Sequence, residues 1–200
     1  RFAVQMVEDM TDSGPVRRQL SGIDGDIEEL DGLIDEILTY AKLGNDHAQG
    51  VLQEAELVDC RDLADNVVEA LAPLHAKLTL QVMPGPPVEV VADPRYLQRA
   101  LQNLVANACR HARTRVKVSL LDEPNQVRVD VEDDGEGVPP EARQDIFKPF
   151  ARLDDSRTRR SGGYGLGLSI VQKVMAWHGG TVSVDESPYL KGARFSLIIP

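Results

Sequence analysis

The stretch LQNLVANACRHA, Leu101 to Ala112, is the second half of a strongly amphipathic run that opens at Pro94. Asn103, Asn107 and His111 stand four residues apart and so share one face of a helix, with Arg110 beside them. Leu101, Leu104, Val105 and Ala108 fill the opposite face and mark it for a core. Asparagine is a mediocre helix former, so propensity does not account for two in one register. A carboxamide oxygen can ligate Mg2+ without the charge of a carboxylate. Taken alone, the polar face is either a ligand surface or a set of side chains in water.

Working outward, the pattern predicts a helix over Cys60–Leu74, then strands in KLTLQVM (77–83) and VEVVAD (88–93) separated by the turn PGPP. After the helix Pro94–His111, RVKVSLL (115–121) and QVRVDVED (126–133) alternate with period two and are joined by DEPN as a hairpin. PPEARQDIF (139–147) reads as a short helix, followed by a non-periodic stretch near 149–164. A glycine-led helix then runs to His178, closed by Gly179-Gly180. GTVSVDE and ARFSLIIP make a last pair of strands. Helices and mostly antiparallel strands in this order predict an α+β chain, with a two-layer α/β sandwich over residues 56–200.

The front of the chain is patterned differently. Val16, Leu20, Ile23, Ile27, Leu30, Ile34, Ile37 and Ala41 alternate spacings of four and three, an unbroken heptad seam. Ser13-Gly14-Pro15 supplies a start and Gly44-Asn45 a stop. Gly22, Gly25 and Gly32 inside it each cost about 1 kcal/mol relative to alanine, so such a helix needs a partner. Phe2–Met10 also reads as helix and TDSGP as a turn, which makes residues 1–44 a helical hairpin and 45–55 a polar linker. Two hairpins would build a four-helix dimer, and a lone amphipathic helix packed on its own domain is the alternative.

Composition narrows the function classes. Two hundred residues with 42% hydrophobic and 27% charged suit a globular chain of one or two domains. Aromatics are only 4%, so aliphatic side chains must fill the core. A net charge of −10 argues against nucleic acid unless a basic patch is segregated. One such patch, Arg152, Arg157, Arg159 and Arg160, directly precedes the glycine run. Cys60 and Cys109 lack CxxC spacing and sit in apolar helical patterns, which reads as reduced, buried thiols. No run approaches the ~18–20 apolar residues of a membrane span. The chain opens in mid-helix style without a start methionine, and is expected to be a piece of a longer protein.

Three further stretches carry chemistry. In VEDDGEGVPP, Asp133 ends a strand and Gly135 and Gly137 follow; a carboxylate there can accept a bond from an exocyclic amine, while glycines permit close backbone approach. A plain acidic turn is the alternative, and a calcium loop lacks its spacing and terminal glutamate. In DIFKPFARLDDSR, Phe147 and Phe150 flank Pro149 and serve either as loop anchors or as core. In SGGYGLGLSIVQKV (161–174), Gly163, Gly165 and Gly167 alternate into a helix whose N-terminus could favour phosphate. The spacing is neither Walker A nor GxGxxG, so alone it supports only a turn or a weak phosphate loop.

In this order, the four stretches together resemble the sensor histidine kinases within the Bergerat-fold ATPases. The matching motifs are the N box (Asn103 to His111), the first glycine box (Asp133, Gly135, Gly137), the aromatic box (Phe147 to Phe150) and the second glycine box (Gly163, Tyr164, Gly165, Leu166, Gly167, Leu168). YAKLG at the end of the heptad helix is similar to the family's dimerisation hairpin. The overall shape is most like membrane sensor kinases that pair with OmpR-type regulators, of the RstB-like subgroup.

The resemblance implies ATP held between the N-box helix and a flexible lid. Asp133 would bind the adenine amine, Asn107 would ligate Mg2+ with Asn103 nearby, Arg110 would meet phosphate and His111 would line the nucleotide. Gly163, Gly165 and Gly167 would shape a hinge and phosphate contacts, with Phe150, Arg152 and Arg157 around them. It also implies a homodimer through the hairpin, a response regulator as partner, and a place on the cytoplasmic side of a bacterial inner-membrane protein.

One departure stands out. The family's acceptor lies in an H box, a histidine followed by an acidic residue and soon a proline. None of His47, His75, His111 or His178 has that context. The acceptor is therefore expected upstream of Arg1, and this chain alone is expected to bind ATP without autophosphorylating. Two other classes remain open: a hydrolytic Bergerat ATPase, and an ATP-binding dimerisation module without catalysis. The hydrolytic relatives resemble this site but carry a glutamate base where Asn103 stands.

Overall fold

A computed structural model describes residues 14–44, 54–151 and 165–200. The expected first helix over Phe2–Met10, most of the 45–55 linker, and Arg152, Arg157, Arg159, Arg160, Gly163 and Tyr164 lie outside the described residues. In chain order the elements are α1 (Gly14–Lys42), β1 (Glu56–Asp59), α2 (Cys60–Leu71), β2 (Thr79–Val82), β3 (Glu89–Ala92) and α3 (Pro94–His111). There follow β4 (Arg115–Glu123), β5 (Gln126–Asp133), α4 (Gly167–Trp177), β6 (Thr181–Glu186) and β7 (Ala193–Ile199).

Period-two patterning turns Val116, Val118, Val127, Val129, Val131, Phe195, Leu197 and Ile199 to one side of a five-stranded sheet ordered β2-β4-β5-β7-β6. The pairings are antiparallel except β2 with β4, which run parallel with Leu80 opposite Val116. Helices α2, α3 and α4 cover the apolar side. The other side is solvated and polar, as one-sided antiparallel sheets are. There Lys117 pairs with Glu132 and Arg128 with Asp130. The expected α+β class and two-layer sandwich are borne out.

The strands expected in 77–83 and 88–93 are present as β2 and β3, and they lie in different sheets: β3 pairs with β1, Glu56 opposite Ala92, in a separate two-stranded sheet. Two local expectations need correction. The helix from Cys60 stops being α-helical at Leu71 and tightens into a 3₁₀ turn over Ala72–His75, because Pro73 brings no N–H. The short helix expected over 139–147 is two 3₁₀ turns, Pro140–Ala142 and Asp145–Phe147.

The start of α3 is held from both ends of the fold. Asp93, 1% exposed, caps the helix by accepting the Arg95 N–H at 3.0 Å, and Pro94 sits at the first helical position. The Asp93 N–H donates to His178 Nε2 at 3.1 Å, while His178 Nδ1 bonds the Val174 carbonyl at 2.8 Å. The Asp93 carboxyl is held below the usual range by its bond to the Arg95 side chain, with its own burial opposing.

Helix α1 docks its C-terminal half on the α3–α4 edge. Leu33 and Tyr40 pack against the core and Leu43 is buried. Asp35 pairs with Arg99 at 2.7 Å, and the Lys173 ammonium lies 3.8 Å from the Tyr40 ring centre. The heptad seam faces elsewhere: Ile23, Leu30, Ile34 and Ile37 are all exposed. No helix among the described residues is long and apolar enough to cross a membrane.

Candidate functional site

Helix α3 buries Leu97, Ala100, Leu101, Leu104, Val105 and Ala108, which aims Asn103 and Asn107 along the edge of the helical layer. Asn103 Nδ2 is buried with no hydrogen-bond partner among the described residues. A buried amide without a partner calls for an explanation, and a bound ligand supplies one. Helix α4 starts against the same residue: a Cβ added to Gly167 would sit 3.5 Å from Asn103 Oδ1. The start of α4 has no side-chain cap, so its first N–H groups face the site without a side-chain acceptor. Leu166 is buried just before it, and the Ser169 hydroxyl donates back to the Leu166 carbonyl at 2.7 Å.

Gly165 has φ +75°, and a Cβ there would fall 2.9 Å from Phe150 Cα and the Ala151 carbonyl oxygen. The Phe150 N–H donates to the Gly165 carbonyl at 2.9 Å. Phe150 and Gly165 therefore lie side by side, with Gly165 two residues before the glycine that meets Asn103. The aromatic pair divides its work. Phe147 is buried edge-on to Phe195, with ring centres 6.4 Å apart, while Phe150 is 63% exposed at φ +62°.

The first glycine box gathers at the C-terminal end of α3. Asp133, 2% exposed, accepts the Gly135 N–H at 2.8 Å and the Ala193 N–H at 3.2 Å, both on Oδ1. Oδ2 takes no hydrogen bond among the described residues. A Cβ at Gly135 would collide with the His111 carbonyl, and one at Gly192 would collide with Asp133 itself. These two glycines let the end of α3, the end of β5 and the start of β7 meet at one carboxyl. Gly137, at φ +75°, continues the turn beside Gly192.

A family model described as "Histidine kinase-, DNA gyrase B-, and HSP90-like ATPase" matches residues 92–200. The chain belongs to this ATPase family. The sensor protein RstB of Escherichia coli K12 is 38% identical over all of this chain and 44% of its own length. The sensor histidine kinase CpxA of the same organism is 33% identical over 92% of this chain and 40% of its length. A crystal structure of full-length ShkA in complex with AMPPNP superposes with a TM-score of 0.80 at 27% identity, over 99% of this chain and 41% of that one. The expected likeness to sensor histidine kinases is borne out, and the chain spans less than half the length of the curated relatives it matches.

In this chain the two acids of the glycine box have opposite electrostatics. Burial pushes the Asp133 carboxyl above the ordinary range, against the pull of the Gly135 and Ala193 N–H groups. Burial pushes Asp134 the same way, but the Thr114 side chain and the N–H groups of Thr114, Arg115 and Arg113 hold it far below the usual range. His111 is lowered by partial burial and by Arg110, with Asp133 and Glu136 opposing, so its imidazole is neutral at pH 7. Cys109, on the core side of α3, is pushed up to about 11 by burial, and Cys60 to about 12. Both are free, buried and unreactive thiols, as the sequence suggested.

Among the described residues, the structure sets Asn103 against Gly167, with Leu166 and Gly165 just before it, and brings His111, Asp133, Gly135 and Gly137 together at the end of α3; Asn107 and Arg110 lie on the helix between the two groups. Sequence reasoning missed Gly192 and Ala193. Lys191-Gly192-Ala193 looks like any turn, and its meaning comes from a carboxyl sixty residues away. The residues present fit a nucleotide: an unpartnered amide, an uncapped helix start and a glycine-lined carboxyl lie along α3 and at its end.

Proposed function

We propose that residues 56–200 are the ATP-binding core of a two-component sensor histidine kinase, with 1–44 as its dimerisation hairpin and 45–55 as a linker. The γ-phosphoryl of ATP goes to a histidine other than His47, His75, His111 and His178, and from there to an aspartate of a response regulator. The observation that carries the reading is the uncapped start of α4 set against the buried, unpartnered amide of Asn103.

Asp133 Oδ2 accepts the adenine amine while its partner oxygen is held by two backbone N–H groups. The Gly167 end of α4 takes phosphate through its N–H groups, and Arg110 adds charge on the same side. Neutral His111 lines the nucleotide. Asn107, with Asn103 nearby, holds Mg2+, which would neutralise phosphate charge during transfer. Catalysis by such a site is positioning and electrostatics, with no general base at Asn103. The exposed seam of α1 pairs with a second copy, and the regulator docks on the same hairpin. A membrane-anchored whole protein with this part in the cytoplasm suits the likeness to the sensor proteins RstB and CpxA.

Calorimetric titration of the 200-residue chain with ATP and Mg2+ tests the reading. Asp133→Asn keeps the oxygen that takes the two N–H groups but turns an N–H2 toward the adenine amine. Affinity should fall about 10–100-fold. The same change should raise the melting temperature at pH 7. A carboxyl raised above its unfolded pKa retains a proton in the native state, so stability falls as pH climbs between the two values. Asparagine removes that penalty. Unchanged ATP affinity in Asp133→Asn would sink the assignment, and steady phosphate release by the chain would overturn transfer in favour of hydrolysis.

A further inference from the structure

Glu132, Asp133 and Asp134 are three consecutive carboxyls at the end of β5, and each ties down a different part of the chain. Alternation along the strand sends Glu132 to the polar side of the sheet and Asp133 to the site, while Asp134 lies just past the strand end. Glu132 is 3% exposed. Its Oε1 accepts the hydroxyl of fully buried Ser187 at 2.8 Å, and its Oε2 pairs with Lys117 at 2.5 Å. Ser187 Oγ in turn accepts the Leu190 N–H at 2.9 Å, and the Ser187 N–H donates to the Gly192 carbonyl at 2.8 Å. Glu132 thus anchors the whole β6–β7 turn. That turn ends in Gly192 and Ala193, which pack on Asp133.

Asp134 does the same for the other wall. Its Oδ1 accepts the N–H groups of Arg113, Thr114 and Arg115 at 2.8, 3.0 and 3.1 Å, and its Oδ2 accepts the Thr114 hydroxyl at 2.5 Å. The segment it grips leaves the end of α3 directly after His111, whose carbonyl lies against Gly135.

We propose that Glu132 and Asp134 are positioning residues that hold the two walls of the nucleotide site in register with Asp133. The proposal rests on the ATP reading of that site. A catalytic or binding group works only within a few tenths of an ångström of its productive place, and both walls meet Asp133 at the free end of an element, His111 closing α3 and Ala193 opening β7. Asp130 supplies a matched comparison. It is on the same strand, 4% exposed, and takes the Ser196 hydroxyl at 2.6 Å and Arg128, but ties down neither wall.

The experiment measures ATP affinity with Mg2+, adenosine affinity and urea unfolding on the full chain and its variants. Asp134→Ala and Glu132→Ala should each weaken ATP about tenfold while the protein remains folded. Asp134→Asn keeps one oxygen for the three N–H groups and should return affinity to within about threefold of the unaltered chain. Glu132→Ala should weaken adenosine as much as ATP, since the wall it anchors touches Asp133. Asp130→Asn should lose stability with ATP affinity unchanged, which separates positioning from a merely structural role. If Asp134→Ala does not fold, Glu132→Ala carries the test alone. Affinities within twofold in the folded variants overturn the proposal and leave the ATP reading intact. So does a loss in Asp130→Asn equal to theirs. An unaltered chain that fails to bind ATP overturns both.

Discussion

Helices α1 and α3 are both long and amphipathic, yet they end in opposite circumstances. Helix α3 is capped by Asp93, carries proline at its first position and buries Leu97, Leu101, Leu104 and Val105 completely or nearly so. Helix α1 has no acidic residue in its first turn, three interior glycines with open space around them, and a seam left in water. The difference shows what a hydrophobic period means. It announces an apolar partner without saying where the partner is. The partner of α3 is its own sheet; that of the α1 seam is absent among the described residues. Meanwhile a second face of α1, Leu33, Glu36, Tyr40 and Leu43, docks on the domain.

The largest effect that can break this comparison is in α3. Leu104 has no exposure, so Leu104→Ala opens a cavity and should cost about 2–5 kcal/mol in urea unfolding. A seam substitution should behave otherwise. Leu30→Asp with Ile34→Asp should change the unfolding free energy of residues 56–200 in urea by less than about 0.5 kcal/mol. Self-association measured by sedimentation equilibrium should weaken about tenfold or more, as for interface anchors. A comparable loss of stability at both sites would mean that the seam is core after all. A dimer that ignores the two aspartates would move pairing away from α1.

Much of this was legible in the sequence, and the reasons are local. Helix α3 and strand β5 have the bounds read from period and cap, because Asp93-Pro94 and the alternation QVRVDVED are complete signals within a few residues. Strand β1 was missed because four residues, Glu56–Asp59, carry no measurable period and their partner is thirty residues away. Repeated prolines at 139–140 made a helix start look stronger than the seven residues after it could sustain. In the site, the residues with unusual types for their element were found: asparagines on a helix and glycines before one. Gly192, Ala193, Glu132 and Asp134 were not, because each is ordinary in its own stretch. Their work depends on contacts across the sheet.

The smallest effect sharpens the contact between α1 and α3. Glu36 is half-buried on the docking face, and its Oε2 has no partner among the described residues. Burial raises its carboxyl above the ordinary range; Arg99 and Arg110 on α3 pull it back, and neighbouring Asp35 pushes it up again. A raised pKa means that the native state keeps a proton the unfolded chain has lost. The stability from docking is therefore full below the unfolded value of about 4.3 and declines as pH rises through the native one. Glu36→Gln should raise the urea midpoint at pH 7, with no advantage over the unaltered chain near pH 4. Equal midpoints at both pH values would show a solvated carboxylate and hence no docked face. Helix α1 would then be held by its seam alone, and the contrast with α3 would lie in the whole helix and not in one of its sides.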